Sequence, residues 1–291
     1  MESTQSLADR QYVQLPSGRI SYLEQGSGAV ALFVHGVLLN GYLWRNQLVG
    51  LSAIRRCIAV DLLAHGDTEI GPGQDVSVTA NAKMLKEFLD ALNIQRVDLV
   101  GNDSGAGIAQ IFAALYPQHV RSLTLTNGDC HDNWPPEAFK PFLAMASDGG
   151  LTKTLNAMLS DKNVYRSQQA LGPAYEHADL VSDDTIERYL RPFVRNEERT
   201  RDFERFLKAF DSKHTLDVER QLNALKAPTL IVWGTDDVYF PVKWSHWLAE
   251  NIPGTRRRVE FKDARIFFPE ERSEEFNKEL REHWQATESA S

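Results

Sequence analysis

Cysteine is scarce: Cys57 and Cys130 are the only two in 291 residues, too few for a disulfide framework. Positive charge is in deficit, with 32 Lys and Arg against 40 Asp and Glu and a net charge of −8, which argues against nucleic acid or an anionic membrane as partner. No apolar run approaches the ~20 residues of a membrane span. The start, MESTQSLADRQYV, is polar, so no secretory leader is expected there. HExxH and paired CxxC spacings are missing, and no metal or organic cofactor is expected. Repeats and low-complexity tracts are missing too. These absences leave a cytoplasmic globular protein acting on a small molecule, with a homodimer as an open option. Hydrophobic residues at 42% supply a sizeable core.

What is present is an alternation. Short runs rich in Val, Ile and Leu, at 30–36, 56–63, 96–102, 120–128 and 229–237, are separated by amphipathic segments, as in a parallel sheet flanked by helices. A more polar run at 256–264 predicts a last strand. YVQLPSGRISYLEQG predicts a hairpin turning at Pro16-Ser17-Gly18. Met84, Leu85, Phe88, Leu89 and Leu92 repeat at helical spacing, as do Ile108, Ile111, Phe112 and Leu115. The alternation breaks over 129–228, where patterning is helical throughout. Ile186, Tyr189, Leu190, Phe193 and Val194 form one stripe, and Phe203, Phe206, Leu207 and Phe210 another. The expected organisation is an α/β core of 1–128 and 229–291 with a helical cap of 129–228.

Chemistry is suggested by Gly101-Asn102-Asp103-Ser104-Gly105, a Gly-x-Nuc-x-Gly turn between a strand and a helix. The flanking glycines allow a sharp bend that lifts the central side chain above the sheet. That central position belongs to Asp103. Centring the turn on Ser104 would put Asn102 and Ala106 where glycines are needed, so Ser104 is read as lending its backbone N–H.

Together with Phe33-Val34-His35-Gly36-Val37 and Ile231-Val232-Trp233-Gly234-Thr235-Asp236-Asp237, in this order, the elbow resembles the α/β-hydrolase superfamily over nearly the whole chain. It is most similar to the branch with an aspartate nucleophile, the haloalkane and fluoroacetate dehalogenases and epoxide hydrolases. The resemblance implies that Val37 and Ser104 supply oxyanion N–H groups. It implies that Asp237, which fits Gly-x-x-Asp-x-x-x-Pro better than Asp236, is the acid that orients a histidine. Both aspartates could also cap the helix that follows. His35 and His65 are read as structural.

The histidine is the telling absence. In the family it follows the last strand, and here that place reads Lys262-Asp263-Ala264-Arg265-Ile266-Phe267-Phe268-Pro269. Ile266 takes the position, or Arg265 if the register slips by one. An aspartate that attacks saturated carbon becomes an ester, and the water that opens the ester normally needs a base worth about 10²- to 10⁴-fold. Three readings stay open. His131, in the loop after the 120–128 strand, substitutes; Asp103 works alone as acid or base near Asp237; or Arg265 pairs with Asp103 or Asp237 and suits an anionic ligand.

Departures from the family narrow the substrate. Ser104 and Val37 stand where haloalkane dehalogenases carry halide-binding Trp and Asn, and Leu38 breaks the His-Gly-x-Pro of epoxide hydrolases. Tyr165, Tyr175 and Tyr189 are cap tyrosines that could act as acids or simply pack. Trp44 and Trp134 line the pocket or pack beneath it. The expected activity is hydrolysis of a carbon–halogen bond, epoxide or activated ester. A lyase, isomerase or cyclase using Asp103 as acid or base, or a catalytically dead ligand-binding protein, are the alternatives.

Overall fold

The computed structural model describes residues 9–289. Residues 1–8, which carry most of the polar start, and the last two residues lie outside them. Eight strands form one sheet: β1 (Gln11–Leu15), β2 (Gly18–Gln25), β3 (Val30–Val34), β4 (Arg56–Val60), β5 (Val97–Asp103), β6 (Val120–Gly128), β7 (Thr229–Gly234) and β8 (Thr255–Phe261). Their order is β1-β2-β4-β3-β5-β6-β7-β8, antiparallel for the β1–β2 and β2–β4 pairs and parallel from β4 onward. This is the expected α/β-hydrolase fold. The apolar runs are the strands, because β3, β5 and β7 are buried along their whole length and need apolar side chains on both faces.

β8 departs from that rule. Its pattern is only half-buried, since it is an edge strand and arginines coat its outer side. β3, β4 and β7 end two or three residues short of their apolar runs, because those runs continue into buried loops that pack like strands without ladder hydrogen bonds.

Helices Val78–Ala91 and Ser104–Leu115 match the two predicted stripes. Between β6 and β7 every regular element is helical among the described residues, with longer helices at Leu151–Ser160, Asp183–Leu190 and Glu197–Lys208. The stripe read across 186–194 is two elements. An α-helix ends at Leu190, and Pro192 opens a 3₁₀ turn, Arg191–Val194, because proline supplies no N–H to an α ladder. No helix among the described residues is long and apolar enough to cross a membrane.

In a sheet of this kind the crevice at the carboxyl ends of the parallel strands collects the functional loops. Here β3 leads into His35-Gly36-Val37, β5 ends on Asp103, β6 leads into Asp129 and β7 into Asp237.

Candidate active site

The β5-to-helix bend is held by its central residue in an unusual backbone conformation. Asp103 has φ +58° and ψ −132°, a region side chains avoid at a cost of about 1–3 kcal/mol. Gly105 lets the bend close, since a Cβ there would lie 2.3 Å from the Val34 carbonyl. The Asp103 carboxylate rises against Gly36, where a Cβ would lie 2.2 Å from Oδ2. Gly36 is therefore what admits the carboxylate to its seat.

In that seat Oδ2 accepts a hydrogen bond from the Val37 backbone N–H at 2.9 Å, and the Ser104 N–H also hydrogen-bonds the carboxylate. The sequence assigned these two amides to an oxyanion, and the structure brings both to Asp103. Asp103 is 5% exposed, and burial, reinforced by the nearby Asp237, pushes its pKa up to about 8 despite the two amides.

Asp237, rather than Asp236, turns inward. Its Oδ2 accepts from Asn127 Nδ2 at 2.7 Å and its Oδ1 from the Tyr239 N–H at 2.8 Å, while burial raises its pKa to about 7. Asn127 clamps the end of β7 as well, donating to the Gly234 carbonyl and accepting from the Gly234 N–H at 2.6 Å. Asp236 faces outward and pairs with Arg265 at 3.1 Å.

The loop after β8, where the family resemblance implies a histidine, forms an apolar wall. Ile266 and Phe267 line the chamber above Asp103, and Asn102 fixes that loop by donating to the Ile266 carbonyl at 2.8 Å. Arg265 therefore does not enter the site. It binds Asp236 and the Tyr175 carbonyl, because the register seen places Ile266, not Arg265, on the inner side. His131 is also engaged elsewhere: Nδ1 is 2.9 Å from Glu219 and the ring stacks on Trp247 at 4.5 Å. Its backbone is in the left-handed region, with φ 49°. His283 lies beside Asp98, at the opposite end of β5.

Neither tryptophan lines the chamber. Trp44 is wedged between Phe33 and Phe276, and Trp134 lies against Gly107 and Phe210. Both belong to the packing beneath the site, since their large rings fill space next to small residues and aromatic neighbours. The tyrosines of the helical segment are similarly occupied: Tyr165 and Tyr175 hydrogen-bond each other at 2.9 Å and Tyr189 donates to Glu270. His35 bridges its own loop and the next, with Nε2 accepting from the Leu62 N–H at 3.0 Å and Nδ1 facing the Gly36 carbonyl at 2.7 Å. Burial holds its pKa down to about 4, so it is neutral. His65 is enclosed by Phe193, Phe203 and Phe206 and is neutral for the same reason. Cys130 is fully buried with its thiol pKa raised, which leaves it a packing residue without reactive thiolate.

The chamber directly over Asp103 has a volume of about 30 Å³ and is lined mainly by Val37, Leu38, Pro136, Phe139, Leu171, Phe210, Tyr239 and Phe240 beside Ile266 and Phe267. Asp129, 1% exposed, also faces it, and its Oδ1 has no hydrogen-bond partner among the described residues. A second cavity of about 470 Å³ adjoins through Leu38, Phe139, Leu171 and Tyr239, and is lined by Phe142, Met145 and Met158. Reading the sequence missed Asn102, Asn127 and Asp129. The signal was available: polar residues at the carboxyl ends of central, otherwise apolar strands point into the crevice.

The α/β-hydrolase fold family model matches residues 30–272 of this chain. A 2-hydroxy-6-oxononadienedioate/2-hydroxy-6-oxononatrienedioate hydrolase of Paraburkholderia phymatum is 28% identical over 261 residues, covering 87% of this chain and 88% of that one. A haloalkane dehalogenase of Mesorhizobium japonicum is 31% identical over 193 residues, covering 63% and 59%. Among solved structures, a meta-cleavage product hydrolase from Pseudomonas fluorescens superposes with a TM-score of 0.74 at 21% identity, covering 96% of this chain and 98% of that one. An epoxide hydrolase does so with a TM-score of 0.79 at 19% identity, covering 96% and 99%. The chain belongs to the α/β-hydrolase family.

Proposed function

We propose that this protein hydrolyses a small, mostly apolar organic substrate through covalent attack by Asp103, with an oxygen leaving group as in an epoxide or activated ester. The observation that carries the reading is the seating of Asp103. One carboxylate oxygen rests on the Val37 amide, so the other is directed at whatever enters the chamber. After attack, Oδ2 becomes the carbonyl oxygen of an ester, still held by the Val37 amide with the Ser104 amide beside it. Those donors then stabilise the oxyanion as water adds, without rearrangement.

Oxygen is preferred over halide because of the lining. A departing halide needs N–H donors, and among the described residues the chamber walls are apolar apart from Asp103, Asp129 and the Tyr239 hydroxyl. A departing oxygen needs a proton instead. The haloalkane dehalogenase and epoxide hydrolase relatives bear such names, and the latter name agrees with this preference.

Single-turnover reaction with styrene oxide in ¹⁸O-water tests the reading. The expected result is unlabelled diol and ¹⁸O in Asp103 of the recovered protein; label appearing directly in the diol overturns covalent attack. A second reading is favoured by one observation, the pKa near 8 that keeps Asp103 largely protonated at neutral pH. It makes Asp103 a proton donor in an isomerase, lyase or cyclase, and predicts a product containing no atom of water. Reversible binding without any turnover would mark a ligand-binding protein.

A further inference from the structure

Among the described residues, three titratable side chains line the chamber: Asp103, Asp129 and Tyr239. Asp237, the carboxylate that orients the histidine in the family pattern, does not line it. Its oxygens are taken by Asn127 and the Tyr239 N–H. Tyr239 holds its proton too firmly to serve as a base at neutral pH, since burial lifts its pKa to about 12. His131 is bound to Glu219. Asp129 remains. It is buried, faces the same small space as Asp103 and carries an oxygen with no partner among the described residues, an arrangement that costs stability to retain.

Its position is fixed by the main chain. The Asp129 N–H donates to the Asp103 carbonyl at 3.3 Å, and Gln110 Nε2 donates to the Asp129 carbonyl at 2.8 Å. The carboxyl is thus carried next to the elbow while its own oxygens stay free of strong backbone donors.

We propose that Asp129 is the acid–base residue that takes the place of the absent histidine. The inference rests on Asp103 being the nucleophile. The pair needs one proton, carried at the outset by Asp129. The Asp103 carboxylate forms a C–O bond to an epoxide carbon as that carbon's bond to the ring oxygen breaks, and Asp129 passes its proton to the freed oxygen. Asp129, now ionised, removes a proton from water as the water oxygen adds to the Asp103 ester carbonyl. When the tetrahedral centre collapses, the proton on Asp129 goes to the departing alcohol oxygen. The acid left on Asp103 returns its proton to Asp129. One epoxide and one water give one diol, and the pair ends with the single proton it began with. Burial and the neighbouring Asp103 charge raise the Asp129 pKa well above the ordinary carboxylate range, which suits both giving a proton near neutrality and accepting one from water.

Benzyl bromide separates the two steps, because bromide leaves without a proton. Peptide mapping follows formation and clearance of a benzyl ester on Asp103. In Asp129→Asn the ester should form at a rate within a few-fold of wild type and clear at least about 10²-fold more slowly. Gln110→Ala, which frees the Asp129 main chain, should slow clearance several-fold more than formation. Clearance in Asp129→Asn at the wild-type rate overturns the role of Asp129 and leaves Asp103 standing. So does equal slowing of both steps in Gln110→Ala. Absence of any Asp103 ester in the wild type with both benzyl bromide and styrene oxide overturns the nucleophile, and the inference with it.

Discussion

The floor and the far wall of the chamber are built on opposite terms. The floor, from β3 and β5, is polar and crowded: two amides and a glycine define one position for one carboxylate. The wall, from the loop after β8, offers only the side chains of Ile266 and Phe267 to the interior, although Asn102 holds its backbone firmly. So the wall presents apolar side chains on a backbone that is held in place as firmly as the floor. Under the proposed function, the groups that hold the nucleophile and those that would activate water occupy different strands, so each can be altered independently.

Breaking the floor should have the largest consequence. Gly36→Ala puts a methyl group where Asp103 Oδ2 sits, and displacement of the carboxylate by about 1 Å is expected to cost at least 10²-fold in ester formation. Normal labelling of Asp103 by benzyl bromide in that variant would show that the seat is unimportant. Rebuilding the wall comes next: Ile266→His in an Asp129→Asn background should recover clearance of the ester by about 10-fold or more, as the backbone already faces the chamber. No recovery would mean that position 266 cannot reach the ester.

The pH dependence sharpens the same contrast. Attack requires ionised Asp103, so ester formation should climb about tenfold per unit below pH 8 and level off above it. A flat profile from pH 6 to 9 would place the pKa in the ordinary carboxylate range. Stability moves the other way. With a pKa raised in the folded state, Asp103 keeps its proton while the unfolded chain ionises, so the wild type loses stability as pH rises from about 4 to 8. Asp103→Asn escapes that loss, and its advantage should widen across this window to a few kcal/mol. Equal denaturation midpoints at pH 4 and pH 9 would contradict it. The smallest effect is expected at Asn127→Ala, which strips donors from Asp237 and Gly234 and should cost about 1–3 kcal/mol of stability with the benzyl ester still formed.

The fold could be read in the sequence because its buried strands must be apolar and its elbow must contain glycine, and both constraints act within a few adjacent residues. Asp103, Val37 and Ser104 were legible for the same reason. Trp44, Trp134, His131 and Arg265 were not. Whether an aromatic ring lines a chamber or fills the layer below, and whether a loop histidine turns to an aspartate or to Glu219, depends on contacts between segments far apart in the chain. Asp129 is marked in sequence only by its place just after the apolar run of β6; its partner across the chamber, Asp103, is 26 positions away at the end of β5.

Four side chains, Leu38, Phe139, Leu171 and Tyr239, belong at once to the chamber and to the larger cavity beside it. These four side chains would set the width of any tip that reached Asp103 from the larger cavity. A reactive carbon at the end of a slender tail would fit that arrangement better than one midway along a chain.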